Sequence, residues 1–272
     1  MLADLHTHST ISDGILSPSE LVQLAKKESL GAIALTDHDT VDGIDAALEA
    51  GRKSGLIVIP GIELSTQLEN YEIHILGYYV DYKNKRFISF LKKYSQARLD
   101  RGRKIVEKLT KIGIILDWES ILLRFGQGSV GRLHIARTLL EKGYVNSIDE
   151  AFRKYLIPGA PAFVSRLKLD PLEAIKMIKA VGGIPVLAHP GILGSNSIIK
   201  ELISYGIMGV EVYYPLHTAS EIKHFLSLCK EYDLLPTGGS DFHGIGTESK
   251  KKLGLASVDL EVVKRMNKLR KC

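Results

Sequence analysis

The chain has 272 residues, and its 45% hydrophobic and 25% charged residues are typical of a globular protein with a sizeable core. It contains neither an apolar run long enough for a membrane span nor the pattern of a signal peptide, which predicts a cytoplasmic protein without membrane contact. The two cysteines, Cys229 and Cys272, exclude a disulfide framework and a CxxC site, and the net charge of +5 only slightly favours anionic partners. The basic segments 250–252 and 264–271 are better explained as solvated surface or a tail.

The first third of the chain alternates short apolar runs with amphipathic stretches. This pattern predicts strands at residues 2–6, 32–36, 56–60 and 72–80, with helices at residues 17–30 and 43–53. Ser17, Pro18 and Glu20 have the spacing of a capping box with proline at the first helical position. The short connections imply parallel strands that are covered by helices.

The same alternation returns in the last third of the chain. A helix is predicted from Asp170, and strands are predicted at residues 184–188, 208–213 and 235–238. With seven strands and polar residues at their C-terminal ends, the fold class is α/β, and we expect a distorted seven-stranded β/α (TIM-like) barrel formed by residues 1–83 and 165–272.

The alternation of strands and helices stops between residues 84 and 164, where the sequence shows no clear buried strand. Helices are predicted at residues 98–111, 131–142 and 147–155. We therefore expect residues 84–164 to be an inserted helical subdomain over the barrel mouth, where it would shape the substrate pocket.

Histidines and carboxylates follow the ends of the predicted strands. His6 and His8 alternate along the first strand, so both imidazoles can reach one cation. The full set, which contains six of the nine histidines, is His6, His8, Asp13, His38, Glu63, His74, His189, Asp241 and His243. Such ligands without cysteine suit Mn, Fe or Zn. A carboxylate such as Glu63 can bridge two ions, and closely spaced ions favour hydrolysis at phosphorus.

The motifs that carry these residues resemble those of the PHP (polymerase and histidinol phosphatase) phosphoesterases. They are Asp4-Leu-His-Thr-His8 through Asp13-Gly14, Ile33-Ala-Leu-Thr-Asp-His-Asp39, Pro60-Gly-Ile-Glu63, His74, Ala188-His-Pro190 and Gly239-Ser-Asp-Phe-His243. The resemblance implies a trinuclear site in which the nine residues act through two to three metals, most readily Mn, and a metal-bridging hydroxide attacks phosphorus. It implies one ion at His6, His8, Glu63 and Asp241, a second at Glu63, His74 and His189, and a third at Asp13, His38 and His243.

Two further segments are similar to a stand-alone branch of that family that includes 3',5'-nucleoside bisphosphate phosphatases and a 5'-to-3' exoribonuclease. They are Gly131-Arg-Leu-His-Ile-Ala-Arg137 and Gly209-Val-Glu-Val-Tyr-Tyr-Pro-Leu-His217. The resemblance implies a small phosphorylated substrate, a nucleotide or a short RNA.

A glycine-rich loop precedes the helix at residue 131. Residues 126–131 satisfy GxGxxG, and Asp149 lies about where a ribose-binding acid would, but the strand–helix–strand context of a dinucleotide site is missing. A glycine loop at a helix N-terminus is a good anion site. We expect Arg132, His134 and Arg137 to hold a second phosphate or the leaving nucleotide, although a solvated helix face also explains them.

Several other polar residues have weaker assignments. His217 follows a strand and is a further candidate for substrate contact, whereas His224 fits ordinary helix surface. Asp37 and Asp39 could orient imidazoles, or Asp39 could cap a helix. Glu211 could contact the site from below or pair with a basic residue. Tyr213 and Tyr214 could stack on a base, but core packing is the better explanation.

The sequence thus predicts a metal-dependent phosphoester hydrolase that acts on a small nucleotide or on the 5' end of short RNA. Histidinol phosphate phosphatase is an alternative, disfavoured because a small cationic amine needs no second anion site. An amidohydrolase and a non-catalytic metal-dependent module are further alternatives. No protein partner is evident, and the exact substrate, the native metal and the oligomeric state are left open.

Overall fold

Eight strands form one sheet that closes almost into a barrel. The computed structural model describes residues 1–125, 130–165, 167–244 and 252–270. The strands are β1 (Leu2–Thr7), β2 (Ala32–Leu35), β3 (Ile57–Leu68), β4 (Tyr71–Tyr78), β5 (Ile184–Leu187), β6 (Gly209–Tyr213), β7 (Leu235–Gly238) and β8 (Val258–Asp259). Their order is β7-β6-β5-β4-β3-β2-β1-β8. A parallel bridge joins Thr7 of β1 to Phe242, just after β7, and we call this junction between β1 and β7 the seam. The predicted barrel is confirmed, and the two-residue β8, which pairs with β1, adds an eighth strand to the expected seven.

The strands β3 and β4 form an antiparallel hairpin, and β4 is also antiparallel to β5. The expectation of parallel strands throughout is wrong here, because the two-residue connection between β3 and β4 can only join antiparallel neighbours. Glu63 pairs with Leu76 and Ser65 pairs with His74 in this hairpin. The start of β4 therefore lies at the edge of the sheet where the parallel strands end, and this places His74 with the other histidines.

Six helices pack around the sheet: α1 (Pro18–Lys27), α2 (Ile44–Ser54), α7 (Pro171–Ala180), α8 (Asn196–Ser204), α9 (Ala219–Glu231) and α10 (Leu260–Leu269). The predicted capping box is present, since Ser17 Oγ accepts from the Glu20 N–H and the Ser17 N–H donates to Glu20 Oε2. In the described part of the closing basic segment, residues 264–270, the basic side chains are exposed on α10 and at its C-terminal end, so this part is solvated surface and not a tail. Within α10, Val263 and Met266 are buried against an apolar core formed by side chains of the strands.

Residues 84–164 contain the helices α3 (Lys85–Lys111), α4 (Trp118–Phe125), α5 (Arg132–Glu141) and α6 (Ile148–Ala151), followed by a π-helix (Phe152–Leu156). No strand occurs in the described parts of this range. A separate apolar cluster lies between Ile105 and Ala162, whereas Phe87 and Leu91 of α3 pack into the core of the barrel. The helix α3 begins earlier than expected because Asn84 caps it. Most of the glycine-rich motif, residues 126–129, lies outside the described residues.

None of the helices in the described ranges combines the length and apolar character that crossing a membrane requires.

Candidate metal centre and adjoining cavity

The first strand delivers two buried imidazoles to one carboxylate. His6 Nε2 and His8 Nε2 each lie 3.3 Å from Glu63 Oε2. Asp241 Oδ1 lies 3.6 Å from His6 Nε2 and 3.2 Å from His8 Nε2. These four side chains converge on one position, as the sequence motifs imply.

Glu63 stands at the centre of the site. Its Oε1 lies 2.8 Å from His74 Nδ1 and 3.2 Å from His189 Nε2, while its Oε2 lies 3.0 Å from His38 Nδ1. In addition to His6 and His8, Glu63 thus contacts His74 and His189 through one oxygen and His38 through the other. The ligand atoms of His38, Glu63 and His74 all lie within 4.8 Å of one another.

A third group surrounds Asp13. Its Oδ1 lies 3.2 Å from His243 Nε2, and its Oδ2 lies 3.9 Å from His38 Nε2. His8 completes this group. The structure therefore brings all nine predicted residues together, with His8 and His38 each shared between neighbouring groups. We refer to these nine residues as the histidine–carboxylate cluster.

Several buried atoms of the cluster lie close to oppositely charged groups without forming a hydrogen bond to them. Within the described ranges, no hydrogen bond with suitable geometry reaches His6 Nε2, His8 Nε2, His38 Nδ1, His74 Nε2 or Glu63 Oε2. Buried polar atoms are normally paired, so such a convergence of lone pairs indicates a missing ligand. Imidazole and carboxylate donors are the groups that divalent cations of intermediate hardness prefer. The residues present fit such ions.

The imidazoles and carboxylates of the cluster shift one another's pKa values. Burial opposes ionisation of Glu63, but the imidazoles of His38, His6 and His74 outweigh it and hold its pKa well below the usual range. Burial also disfavours protonation of His8, yet Asp241 and Glu63 raise its pKa to about 9. The metal-free site therefore favours a proton on His8, whereas burial holds the pKa of His38 well below its usual range.

Glu211 contacts two residues of the cluster, His6 and His189. It is fully buried on β6, and its Oε1 lies 3.0 Å from His6 Nδ1, while its Oε2 accepts from the His189 N–H at 2.7 Å. With the proton on Nδ1, the lone pair of His6 Nε2 points to Glu63 and Asp241. The first of the two interpretations of Glu211, contact with the site, is the one that the structure supports.

Asp37 fixes the loop after β1. It does so through two serines of that loop and not through a direct contact with an imidazole. Asp37 accepts from the Ser9 N–H at 2.8 Å, from Ser9 Oγ at 2.7 Å and from Ser12 Oγ at 2.6 Å. Asp39 does not cap α2, whose N-cap is Gly43. Instead it accepts from the Ser65 N–H at 2.9 Å and pairs with Arg98.

The aromatic and surface candidates have mixed outcomes. Tyr214 is buried, and its hydroxyl donates to Asp241 Oδ2 at 3.2 Å, a contact that sequence reasoning missed. Tyr213 packs against the core. His224 lies 2.9 Å from Asn196 Oδ1 on the surface, as expected for ordinary helix surface.

A cavity of about 350 Å³ opens beside the cluster. Asp13, His38, His74 and His243 line one end of it. The helices α3 and α5 supply an arginine wall, which we define as Arg98, Arg101 and Arg132. Apolar and aromatic side chains, including Tyr94, Ile105 and Phe152, line other parts of the cavity, together with the acidic side chains of Asp39, Glu72 and Asp149. Anionic groups of a ligand could thus be bound at two separate positions, with an apolar surface nearby.

The four predicted substrate residues lie in different surroundings. Arg132 lines the cavity, where its Nη2 lies 3.4 Å from Glu72 Oε2 and its guanidinium lies 5.7 Å from the centre of the Phe152 ring. His134 is buried, and its Nδ1 accepts from the Gly131 N–H at 3.1 Å. Burial lowers the pKa of His134 to about 4, so this imidazole is neutral. Arg137 is buried and donates to the carbonyl oxygen of Asp13.

His217 does not reach the cavity. Its Nδ1–H donates to the Val212 carbonyl oxygen at 2.9 Å, and its Nε2 accepts from the Gly191 N–H at 3.1 Å. Both ring nitrogens are therefore used by the backbone, and His217 packs behind Tyr214. In this position His217 supports the loops after β5 and β6, and its contact with substrate stays a prediction without support from the cavity.

Arg98 and Arg101 are the cavity residues that sequence reasoning missed. Both lie on α3, where they were assigned only to a helix, and their spacing of three residues on one face with Tyr94 nearby was the available signal. Arg98 Nη2 also lies 3.2 Å from Ser65 Oγ. The arginine wall is thus joined to the barrel through Asp39 and Ser65.

Comparison with known proteins extends over nearly the whole chain. A family model described as the PHP domain matches residues 4–154. A 5'-3' exoribonuclease of Salmonella typhimurium is 38% identical over 250 residues, which cover 89% of this chain and 85% of that protein. A 3',5'-nucleoside bisphosphate phosphatase of Chromobacterium violaceum is 32% identical over 249 residues, which cover 89% of this chain and 87% of that protein. A crystal structure from Bifidobacterium adolescentis, described as a metal-dependent phosphoesterase, has a TM-score of 0.90 at 29% identity and covers 98% of this chain and 96% of its own.

Proposed function

Because the chain belongs to the PHP domain family and is a phosphoester hydrolase, we propose that it acts on a 3',5'-nucleoside bisphosphate or on the 5' end of short RNA. The observation that carries this proposal is the shared cavity, in which the histidine–carboxylate cluster faces the arginine wall. A substrate with one phosphate at the cluster and a second at the arginines fits both ends. The named Salmonella and Chromobacterium relatives act on substrates of these two kinds.

We propose that the nine residues of the cluster hold two to three divalent ions in the three groups described above. Ions bound there supply positive charge to phosphate oxygens and lower the pKa of water. Manganese stays a prediction from ligand chemistry, as does the cytoplasmic location from the sequence. Elemental analysis of protein purified without added metal measures the native metal.

The protein's own side chains orient the reacting phosphate and the groups around it. Glu211 and Tyr214 fix His6 and Asp241 from outside the cluster. Arg137 holds the carbonyl of Asp13, and His134 fixes the start of α5 through Gly131, so both act as positioning residues rather than as direct contacts. Arg132 is left as the member of the predicted set that lines the cavity.

We propose that Arg132 binds the second phosphate, in exchange for its present partner Glu72. Charge-assisted contacts between a guanidinium and a phosphate are strong and often bidentate. Histidinol phosphate has no second phosphate for this wall, although Asp39, Glu72 and Asp149 also line the cavity, so it is kept as the alternative in the test.

The test is phosphate release from adenosine 3',5'-bisphosphate, a 5'-phosphorylated oligoribonucleotide and histidinol phosphate, each with Mn²⁺ and with chelator. We expect metal-dependent turnover of the first two. For Arg132→Ala we expect KM for the bisphosphate to rise by about 10-fold to 100-fold, the equivalent of about 1.5–3 kcal/mol for a hydrogen bond to a charged group.

Arg52→Ala is the matched control, since this exposed arginine of α2 contacts only Glu49 among the ion pairs of the described residues. Turnover of histidinol phosphate alone would transfer the substrate assignment to that alternative. An absence of release from all three, in protein shown to contain its metals, would refute the proposed catalysis.

We also propose that residues 84–164 are an insertion in the barrel that forms one wall of the cavity. Their separate apolar cluster supports this division, as does the position of the arginine wall on α3 and α5. Replacing residues 112–163 by a short linker keeps Phe87 and Leu91 in the barrel core, so it should leave the metal content intact while strongly reducing turnover of the bisphosphate.

A further inference from the structure

The helix α3 carries an unusual concentration of positive charge. Its 27 residues include ten lysines and arginines against two acidic residues, a net charge of +8, whereas the whole chain carries +5. The rest of the protein is therefore net negative. Positive charge that is concentrated on one element indicates an anionic partner more strongly than a basic composition does.

Part of this charge forms a stripe along one face of α3. Arg101, Lys104, Lys108 and Lys111 are spaced by three or four residues and so lie above one another. At a rise of about 1.5 Å per residue, the stripe is about 15 Å long. We call these four residues the α3 stripe.

The three lysines of the stripe line an open groove against the segment that follows the π-helix. The other side of this groove consists of Phe163, Val164 and Ser165, and Glu107 is its acidic member. The lysines are exposed, and the Phe163 side chain is half-buried beside them. Lys108 Nζ donates to the Phe163 carbonyl oxygen at 2.6 Å, which fixes the two sides of the groove together.

The groove adjoins the cavity at Arg101. Arg101 lines the cavity, and its Nε donates at 2.8 Å to the carbonyl oxygen of Val164, which lines the groove. A chain with its 5' phosphate at the histidine–carboxylate cluster could therefore leave the cavity past Arg101 and run along the lysines.

We propose that the α3 stripe binds the downstream phosphates of single-stranded RNA whose 5' end lies in the cavity. This inference rests on the proposed function and extends it, because a nucleoside bisphosphate is too short to reach Lys111. A row of cations beside an aromatic side chain is the arrangement that binds single strands without sequence preference, through phosphate contacts and base stacking. The stripe thus favours oligonucleotides over mononucleotides as substrates.

The first test is binding, which needs no turnover. A variant with Lys104→Gln, Lys108→Gln and Lys111→Gln keeps helix propensity and a donor at position 108 but removes three charges. With metal-loaded protein and a fluorescent, phosphorothioate-linked RNA of about 12 nucleotides, we expect about tenfold or greater loss of affinity. The slope of log affinity against log salt should fall by about 2, since each phosphate contact to a single strand contributes about 0.7.

The matched control is Lys26→Gln, Lys27→Gln and Lys230→Gln, which removes the same charge from exposed positions on α1 and α9. This variant should bind RNA like the wild type. Equal losses in the two variants would assign the effect to net charge and overturn the stripe, as would an unchanged affinity in the α3 variant.

The second test compares kcat/KM for adenosine 3',5'-bisphosphate with kcat/KM for 5'-phosphorylated RNAs of increasing length. We expect wild-type kcat/KM to rise with length until the stripe is filled. The α3 variant should lose this dependence and keep its activity on the bisphosphate. A length dependence that survives in the variant would overturn the stripe while leaving the proposed function intact. Failure of the wild type on every substrate would instead refute the proposed function.

Discussion

Glu211 illustrates how a single side chain can decide whether a metal ligand is available. It contacts His6 Nδ1 and the backbone of His189, two residues in different groups of the cluster. Outer carboxylates of this kind fix the tautomer of a ligating histidine. The availability of His6 Nε2 therefore depends on a residue that contacts no substrate.

For Glu211→Gln we expect metal affinity to fall by about 10-fold to 100-fold, as is typical when such a partner is changed. The new amide N–H₂ can donate to His6 Nδ1, which moves the imidazole proton to Nε2 and blocks the ligating atom. Metal content after equilibration in chelator-buffered Mn²⁺ measures the effect. Glu231→Gln, at an exposed position on α9, should retain wild-type affinity.

At the scale of the elements, the seam between β1 and β7 depends on Asp4. Its carboxylate accepts from the Ser240 N–H at 2.9 Å, from Ser240 Oγ at 2.5 Å and from the Gly254 N–H at 2.8 Å. The chain can approach this closely because residue 239 is glycine, where a Cβ would lie 2.3 Å from the Cβ of His6. Asp4 thus joins the first strand to the segment that carries Asp241 and His243.

We expect Asp4→Asn to lower the free energy of unfolding by about 1–3 kcal/mol, the cost of leaving a buried donor unpaired. The Asn amide group would face the Gly254 N–H, so two donors would meet. Urea denaturation measures the change. Asp42→Asn, at an exposed position before α2, is the control and should unfold like the wild type. A stability equal to that of the wild type in Asp4→Asn would show that the seam is held by other contacts.

The sequence predicts the elements that have a strong local pattern. Seven strands, the capping box of α1 and the positions of all nine cluster residues follow from periodicity and from residue type at strand ends. The strand β8 has two residues and no pattern of its own, because its pairing with β1 depends on the closed barrel. The antiparallel direction of β4 follows from the tight turn between β3 and β4. The alternation of apolar runs in the sequence does not indicate the direction of a strand.

The arginine wall could not be derived in the same way. Arg98 acquires its position because α3 crosses the barrel beside Asp39 and Ser65, and its spacing from Arg101 shows a shared helix face but not which part of the molecule that face meets. The same holds for His217, which looked like a contact residue from its loop but is occupied by the backbone. Residue type and strand position thus predict the cluster, while the surrounding specificity residues depend on helix placement.

At the scale of the whole molecule, metal binding should stabilise the fold in a pH-dependent manner. Burial disfavours protonation of His8 and His74, but neighbouring carboxylates raise the pKa of each to about 9 in the metal-free protein. The folded pKa lies above the unfolded value of about 6.5, so protonation stabilises the metal-free fold fully below about pH 6.5 and is lost toward pH 9. Metal binding displaces these protons and is favoured as pH rises.

We therefore expect the increase in Tm on adding Mn²⁺ to be small near pH 6 and larger near pH 8.5. Metal at 100 times its Kd stabilises a protein by about 2.7 kcal/mol. Thermal unfolding with Mn²⁺ and with chelator, across this pH range, measures the difference. A shift that is independent of pH would show that these imidazoles are already neutral in the metal-free protein.

The seam also sets the order in which the protein can become active during its synthesis. Asp4 and its partner Ser240 are 236 positions apart, and the cluster takes His6 and His8 from one side of that interval and Asp241 and His243 from the other. At about 5–20 residues per second, a ribosome needs about 12–47 s to make the intervening chain. Until then the first strand lacks its second neighbour, and no nascent fragment can assemble the full metal site. Hydrolysis that needs all of these side chains is thereby withheld from incomplete chains.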